Sequence, residues 1–201
     1  MKEGKIPEYI LASCNLPVFK TQKLIDNKYY IDGGFYDNNP INMLLEKGYD
    51  KIYTVEILSI PFTKKVKDDK KIIRIKPSRF LGSVLNVNKK KINENIKLGY
   101  YDTLKVLKNY DGYNFIFKNH VNLLYNTLAR KVNTDLLKRC KRYFQAKTNK
   151  EVIIKSLEYV MMKEEMTYFK IYNVFEMIKY TKKNTKSKHF VYDFVKSLKI
   201  F

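Results

Sequence analysis

Twelve consecutive residues constrain this chain most: Tyr29-Tyr30-Ile31-Asp32-Gly33-Gly34-Phe35-Tyr36-Asp37-Asn38-Asn39-Pro40. An apolar run gives out at a carboxylate, two glycines follow, and a proline opens a new apolar period. The pattern predicts a buried strand ending at Asp32, a two-glycine turn, and a helix with Asn39 as N-cap and Pro40 in its first turn. Ile41, Leu44 and Leu45 would form the apolar face of that helix, which stops at Gly48. At the end of a buried strand a carboxylate is costly unless hydrogen bonds hold it, so the position suits chemistry. Two glycines permit positive backbone torsion and the close approach of another segment. Asp-Gly-Gly alone is ordinary turn punctuation, and on that motif alone a plain hairpin or loop is favoured over a catalytic acid. The flanking segments carry the distinction.

Leu11-Ala12-Ser13-Cys14-Asn15-Leu16-Pro17-Val18-Phe19 precedes Asp32-Gly33-Gly34, Asn38-Asn39-Pro40 follows, and Ile52-Tyr53-Thr54-Val55-Glu56-Ile57 comes next as a strand. This order resembles the C-terminal part of the patatin-like phospholipase family, lipid acyl hydrolases with a Ser-Asp dyad. In the family an A-S-x-x-x-P-x-F segment leads to a D-G-G or D-G-A motif whose Asp partners the serine. The resemblance aligns that Asp with Asp32. Gly99-Tyr100-Tyr101-Asp102 is similar to the family's G-Y-x-D helix, so the resemblance runs from Ile10 to about Leu107. It implies an α/β fold, the C-terminal part of a layered parallel-sheet domain over 1–110, and phospholipid or acylglycerol esters as substrates.

Two parts of such an enzyme are absent from these residues. No G-x-S-x-G and no G-G-x-R-G-like loop occurs. Yet acyl transfer needs an exposed nucleophile and backbone N–H donors for the oxyanion. Ser13 lacks the nucleophile elbow and reads as structural. Three readings follow. The chain is the truncated or split C-terminal portion of a patatin-like phospholipase, inactive alone. Alternatively, it is a hydrolase completed in trans by a chain supplying the missing N-terminal half. Or it is a non-catalytic basic module that binds anionic membranes or nucleic acid through Lys64 to Lys76 and Lys89 to Lys91. No ribonucleoprotein or helix-turn-helix motif supports nucleic acid, which is therefore not expected as a partner.

Charge sharpens the third reading, since 40 Lys+Arg face 20 Asp+Glu for a net +20. Such a surface attracts anionic membrane faces through a field that salt weakens. The abundance of lysine, asparagine, isoleucine and tyrosine also fits compositional bias with no partner selected. Cys14 and Cys140 are far apart, and His120 and His189 are isolated. No disulfide framework, metal site, Ser-His-Asp triad or cofactor is expected. The opening Met1-Lys2-Glu3-Gly4-Lys5 does not lead into a secretory signal, and no run approaches the ~18 apolar residues of a spanning helix. The expectation is a cytoplasmic protein with peripheral membrane contact.

Taken in order, Ile6 to Phe19 predicts a short helix ending near Asn15, and Lys23 to Ile31 two extended pieces around an Asp26-Asn27 turn. A strand over 51–57 following the 40–47 helix suggests parallel neighbours. Lys64 to Lys71 reads as a solvated basic loop and Ile72 to Ile75 as a further strand. From Val87 to Leu107 a helical stripe contains Ile92, Ile96, Tyr100, Leu104 and Leu107, with Gly99 implying close packing. Beyond Asp111-Gly112 the periodicity indicates helices alone, a helical extension over 111–201. Its stripes are Leu136, Leu137, Cys140 and Phe144; Ile153, Leu157, Val160 and Met161; and Ile171, Val174, Phe175 and Ile178. Asn133-Thr134-Asp135 and Thr148-Asn149 offer caps ahead of the first two.

Overall fold

The computed structural model describes residues 5–16, 23–57, 65–66, 70–83 and 88–200. They form two compact units, Met1–Lys76 and Pro77–Phe201. The sequence boundary at 110/111 differs from this division, because the long 89–107 helix clusters with the C-terminal unit.

In the N-terminal unit, α1 (Ile6–Ser13) is followed by β1 (Lys23–Ile25) and β2 (Lys28–Tyr30), an antiparallel hairpin pairing Ile25 with Lys28. Its turn residues Asp26 and Asn27 both take positive φ, 49° and 58°, as a two-residue hairpin with right-handed strand twist requires. Pro17 to Phe19 lie outside the described residues. Next come α2 (Gly33–Asp37), α3 (Ile41–Glu46), β3 (Ile52–Val55) and β4 (Ile72–Ile75). β3 and β4 pair in parallel, Ile52 with Ile72 through Val55 with Ile75. Alternation is as the sequence indicates: Ile52 and Thr54 are buried, Tyr53 and Val55 exposed.

Four expectations need correction here. β2 is not a buried strand, since among the described residues it pairs only with β1, and Tyr29 is 69% exposed. Gly33 and Gly34 do not make a positive-φ turn but open α2, because Asp32 caps it. Pro40, not Asn39, takes the N-cap position of α3, because the Asn39 side chain is held elsewhere, as described below. And the parallel neighbour of β3 is β4 rather than β2.

The C-terminal unit contains α4 (Lys89–Leu107), β5 (Ile116–Phe117), α5 (Asn122–Ala129), α6 (Thr134–Tyr143), α7 (Asn149–Lys163), β6 (Ile171–Tyr172), α8 (Val174–Asn184) and α9 (Phe190–Ser197). Around α7 pack α5, α6, α8 and α9. Val152, Ile153, Ile154, Leu157, Val160 and Met161 of α7 are buried nearly all round, as a central helix requires. Within the two expected capping stretches, Asn133 caps α6 and Thr148 caps α7, each accepting first-turn N–H bonds. Helices alone do not make this unit, however. β5 and β6 pair in parallel, Phe117 with Tyr172, which moves Ile171 from the expected third helical stripe to a strand.

α4 also turns the other way. Leu98 and Asp102 are its buried residues, whereas Ile92, Ile96, Tyr100 and Leu107 are exposed, Ile96 by 65%. The buried Asp102 accepts the Ser78 N–H at 2.8 Å, so a polar contact decides which face turns inward. A side chain at Gly99 would meet nothing within 4 Å, so the close packing expected there is absent.

Candidate active site

Asp32 sits between the β1–β2 hairpin and α2 with φ −51° and ψ 130°, an extended backbone from which a side chain can turn back over the helix start. Its Oδ1 accepts the Gly34 N–H at 2.7 Å, and its carbonyl accepts the Phe35 N–H at 3.0 Å. At Gly34 space rather than torsion is tight, since a Cβ there would lie 3.1 Å from Asp32 Oδ1 and 3.3 Å from Asn38 Oδ1 and one of those side chains would have to shift.

Asp32 is also tied to the segment after α1. Its N–H donates to the Asn15 carbonyl at 2.9 Å, and the Asn15 amide donates to the Tyr30 carbonyl at 3.2 Å. These two bonds clamp Ala12-Ser13-Cys14-Asn15 against the diglycine segment across a loop whose residues 17–22 lie outside the described set. Ser13 Oγ donates to the Ile10 carbonyl at 2.7 Å, the back-bond of a helix-terminal serine, which fits its structural reading. Cys14 is an exposed free thiol. Among the described residues, no three His, Cys, Asp or Glu side chains gather as a metal site.

Two supports escaped sequence reasoning. Asn39 donates to Thr54 Oγ1 at 2.9 Å and accepts from it at 3.2 Å, pinning the Asp37-Asn38-Asn39-Pro40 segment to buried β3. The signal available was Thr54 itself, a polar residue on the inward face of a strand that needs a partner. At the end of β3, Glu56 forms ion pairs with Arg74 and with Lys76, the latter at 2.8 Å. Partial burial opposes its charge, but the Lys76 and Arg74 partners outweigh that and hold the carboxyl below the usual carboxylate range. Together these contacts make a half-buried carboxylate, fixed through one oxygen, with a conformationally defined chain on either side. Such a group can accept a proton from a hydroxyl brought to its other oxygen.

No curated protein and no solved structure matches this chain. The model of the patatin-like phospholipase family matches residues 1–45, a stretch that includes both Ala12-Ser13 and Asp32-Gly33-Gly34. That match supports a lipid-ester hydrolase lineage, and among the described residues no helix is long and apolar enough to cross a membrane. Over residues 1–45 the chain is similar to the patatin-like phospholipase family.

Proposed function

We propose that Asp32 is the acid of a Ser-Asp dyad whose serine and oxyanion loop lie outside these 201 residues, and that the chain alone does not hydrolyse esters. The observation carrying this reading is the family match across Asp32, where a backbone bond also joins the diglycine segment to Asn15. The patatin-derived portion extends to about residue 110, with 111–201 a helical extension. β3 and β4 support that extension, because two parallel strands alone are rarely stable and parallel sheets are covered on both faces.

In the completed site, the serine Oγ attacks the ester carbonyl of a phospholipid or acylglycerol while Asp32 takes the hydroxyl proton. Collapse of the tetrahedral intermediate passes that proton to the departing alcohol and leaves an acyl-enzyme. Water then attacks the acyl carbon, Asp32 again accepting a proton and returning it to the serine. A carboxylate is a weak base at neutral pH, so backbone donors to the oxyanion must supply much of the stabilisation. The Gly34 bond to Oδ1 fixes the carboxyl rotamer and keeps the other oxygen for proton transfer.

Exposed Tyr53 and Val55 and the outer edges of the β3–β4 pair favour supply of the serine half by further parallel strands, either preceding in the same polypeptide or on a second one. Two unpaired cysteines and a net charge of +20 favour action at the cytoplasmic side of a membrane. Hydrolysis of a p-nitrophenyl acyl ester tests the reading. The chain alone gives none, whereas co-expression with a patatin-like segment bearing G-x-S-x-G gives activity that Asp32→Ala and Asp32→Asn both abolish. Activity of the chain alone that survives Asp32→Ala would remove Asp32 from the chemistry.

A further inference from the structure

The charge of this protein is unevenly distributed. Residues 77–201 hold 26 Lys+Arg against 10 Asp+Glu, and several of those acids are turned inward. Asp102 and Glu158 are buried, and Asp111 pairs with Lys150 at 2.5 Å. The outer surface of the C-terminal unit is therefore more basic than its composition.

One part of that surface is organised. Tyr143 at the end of α6 lies edge-on to Phe190 at 5.2 Å and near His189 at 6.1 Å, and His189 stacks on Tyr159 of α7 at 5.1 Å. Cations lie over these rings, with the Arg139 guanidinium 4.1 Å from the Phe190 centroid and Lys163 Nζ 5.9 Å from that of Tyr159. Arg142 and Lys188 adjoin the cluster in sequence and are exposed. Among the cations stand two exposed apolar groups, Tyr143 at 52% and, one turn beyond Tyr159, Met162 at 49%. Asp135, Glu165 and Asp193 are the exposed acids on or next to the same elements, fewer than the four cations.

We propose that this face, built from α6, the end of α7 and the start of α9, docks the C-terminal unit on an anionic lipid surface. Four cations set around a tyrosine and a methionine match an interface that offers phosphate at one depth and hydrocarbon just below it. A polynucleotide fits less well. Its bases need open ring faces for stacking, and here Arg139 and Lys163 occupy the faces of Phe190 and Tyr159. The proposal rests on the C-terminal unit alone and holds whether or not Asp32 is catalytic.

Vesicle co-sedimentation of the whole chain tests it, comparing phosphatidylcholine vesicles with vesicles that also contain phosphatidylserine. Binding is expected to the second only, and to fall as salt rises. The variant Arg139→Glu, Arg142→Glu, Lys163→Glu, Lys188→Glu loses at least about tenfold in partitioning. A control with the same change in net charge, Lys89→Glu, Lys90→Glu, Lys91→Glu, Lys97→Glu on α4, loses far less. If the first variant fails to fold by circular dichroism, Arg142→Ala and Lys188→Ala at exposed positions decide, each expected to lose about fivefold. Equal loss in the α4 control, or no binding to phosphatidylserine vesicles, overturns the proposal. So does a single-stranded oligonucleotide that displaces the chain from vesicles and loses its own binding in the α6 variant.

Discussion

Glu158 on α7 is a buried carboxylate whose Oε1 accepts three successive backbone N–H groups, from Tyr113 at 2.6 Å, Asn114 at 2.9 Å and Phe115 at 3.0 Å. It organises the 111–115 turn as Asp32 organises the start of α2, by giving stranded amides an acceptor. Removing it strands three donors, so Glu158→Ala is expected to cost about 3 kcal/mol or more in urea unfolding. Glu158→Gln keeps a carbonyl acceptor and loses the charge. Burial raises the carboxyl above the usual range despite the three N–H donors, which act in the other direction. A raised folded-state value means the folded protein holds the proton more tightly than the unfolded one. The stability this provides is full below the unfolded value near 4.5 and is lost as pH rises through the folded value. The stability of Glu158→Gln relative to wild type should therefore grow from pH 4 to pH 7, and a constant difference would show that Glu158 carries its charge at no cost. Glu158 serves the fold through these three amides, whereas Asp32 is only half buried.

Among elements, two glycines separate what spacing tells from what only packing tells. Gly112 has φ 109°, and a Cβ there would collide with the Phe115 carbonyl, so Gly112→Ala should destabilise by several kcal/mol. Gly99 lies mid-helix with nothing within 4 Å of a would-be Cβ, so Gly99→Ala should stabilise α4 by about 1 kcal/mol. Thermal unfolding of the two variants checks both signs, and a destabilising Gly99→Ala would restore the close packing that the periodicity first implied. The two positions look alike in sequence. The Asp26-Asn27 hairpin and the caps ahead of α6 and α7 were legible, because each is fixed by a few adjacent residues and by local backbone rules. α4 was legible as a helix but not in its facing, since a stripe of Ile92, Ile96 and Tyr100 does not say what is available to cover it. The β5–β6 pairing was not legible at all. Two-residue strands have no period to read, and Phe117 meets Tyr172 across a helical sequence separation that only tertiary structure closes. At the candidate site Asp32 was legible as a position through its motif, while Asn15 and Asn39, which tie the site to α1 and to β3, are ordinary polar residues until their partners are in place.

Over the whole molecule, the apolar core is unevenly shared, and this bears on what the N-terminal unit needs. The large buried side chains belong to residues 77–201, where Phe115, Phe117, Tyr125, Leu128, Leu157, Met161, Ile178 and Phe194 form one contiguous cluster. In residues 1–76 the buried apolar residues are Ala12, Ile25, Ile41, Ile52 and Ile75 among those described, while Ile6, Ile10, Leu11, Tyr29, Ile31, Met43, Tyr53, Val55 and Ile57 are exposed. Among the described residues, a set of five small or medium side chains buries too little area to offset the ordering of a four-strand, three-helix segment by itself. Amides of α7 should accordingly exchange with deuterium only through global unfolding, whereas those of β3 and β4 should exchange through local opening, faster by orders of magnitude in mass-spectrometric hydrogen exchange. If the missing half of a patatin-like domain covers the N-terminal unit, adding a segment that bears G-x-S-x-G should slow β3 and β4 and leave α7 unchanged. Equal protection of β3 and α7 in the chain alone would mean that the N-terminal unit is already complete, and the case for a covering half would then fall even if the esterase assay were never run.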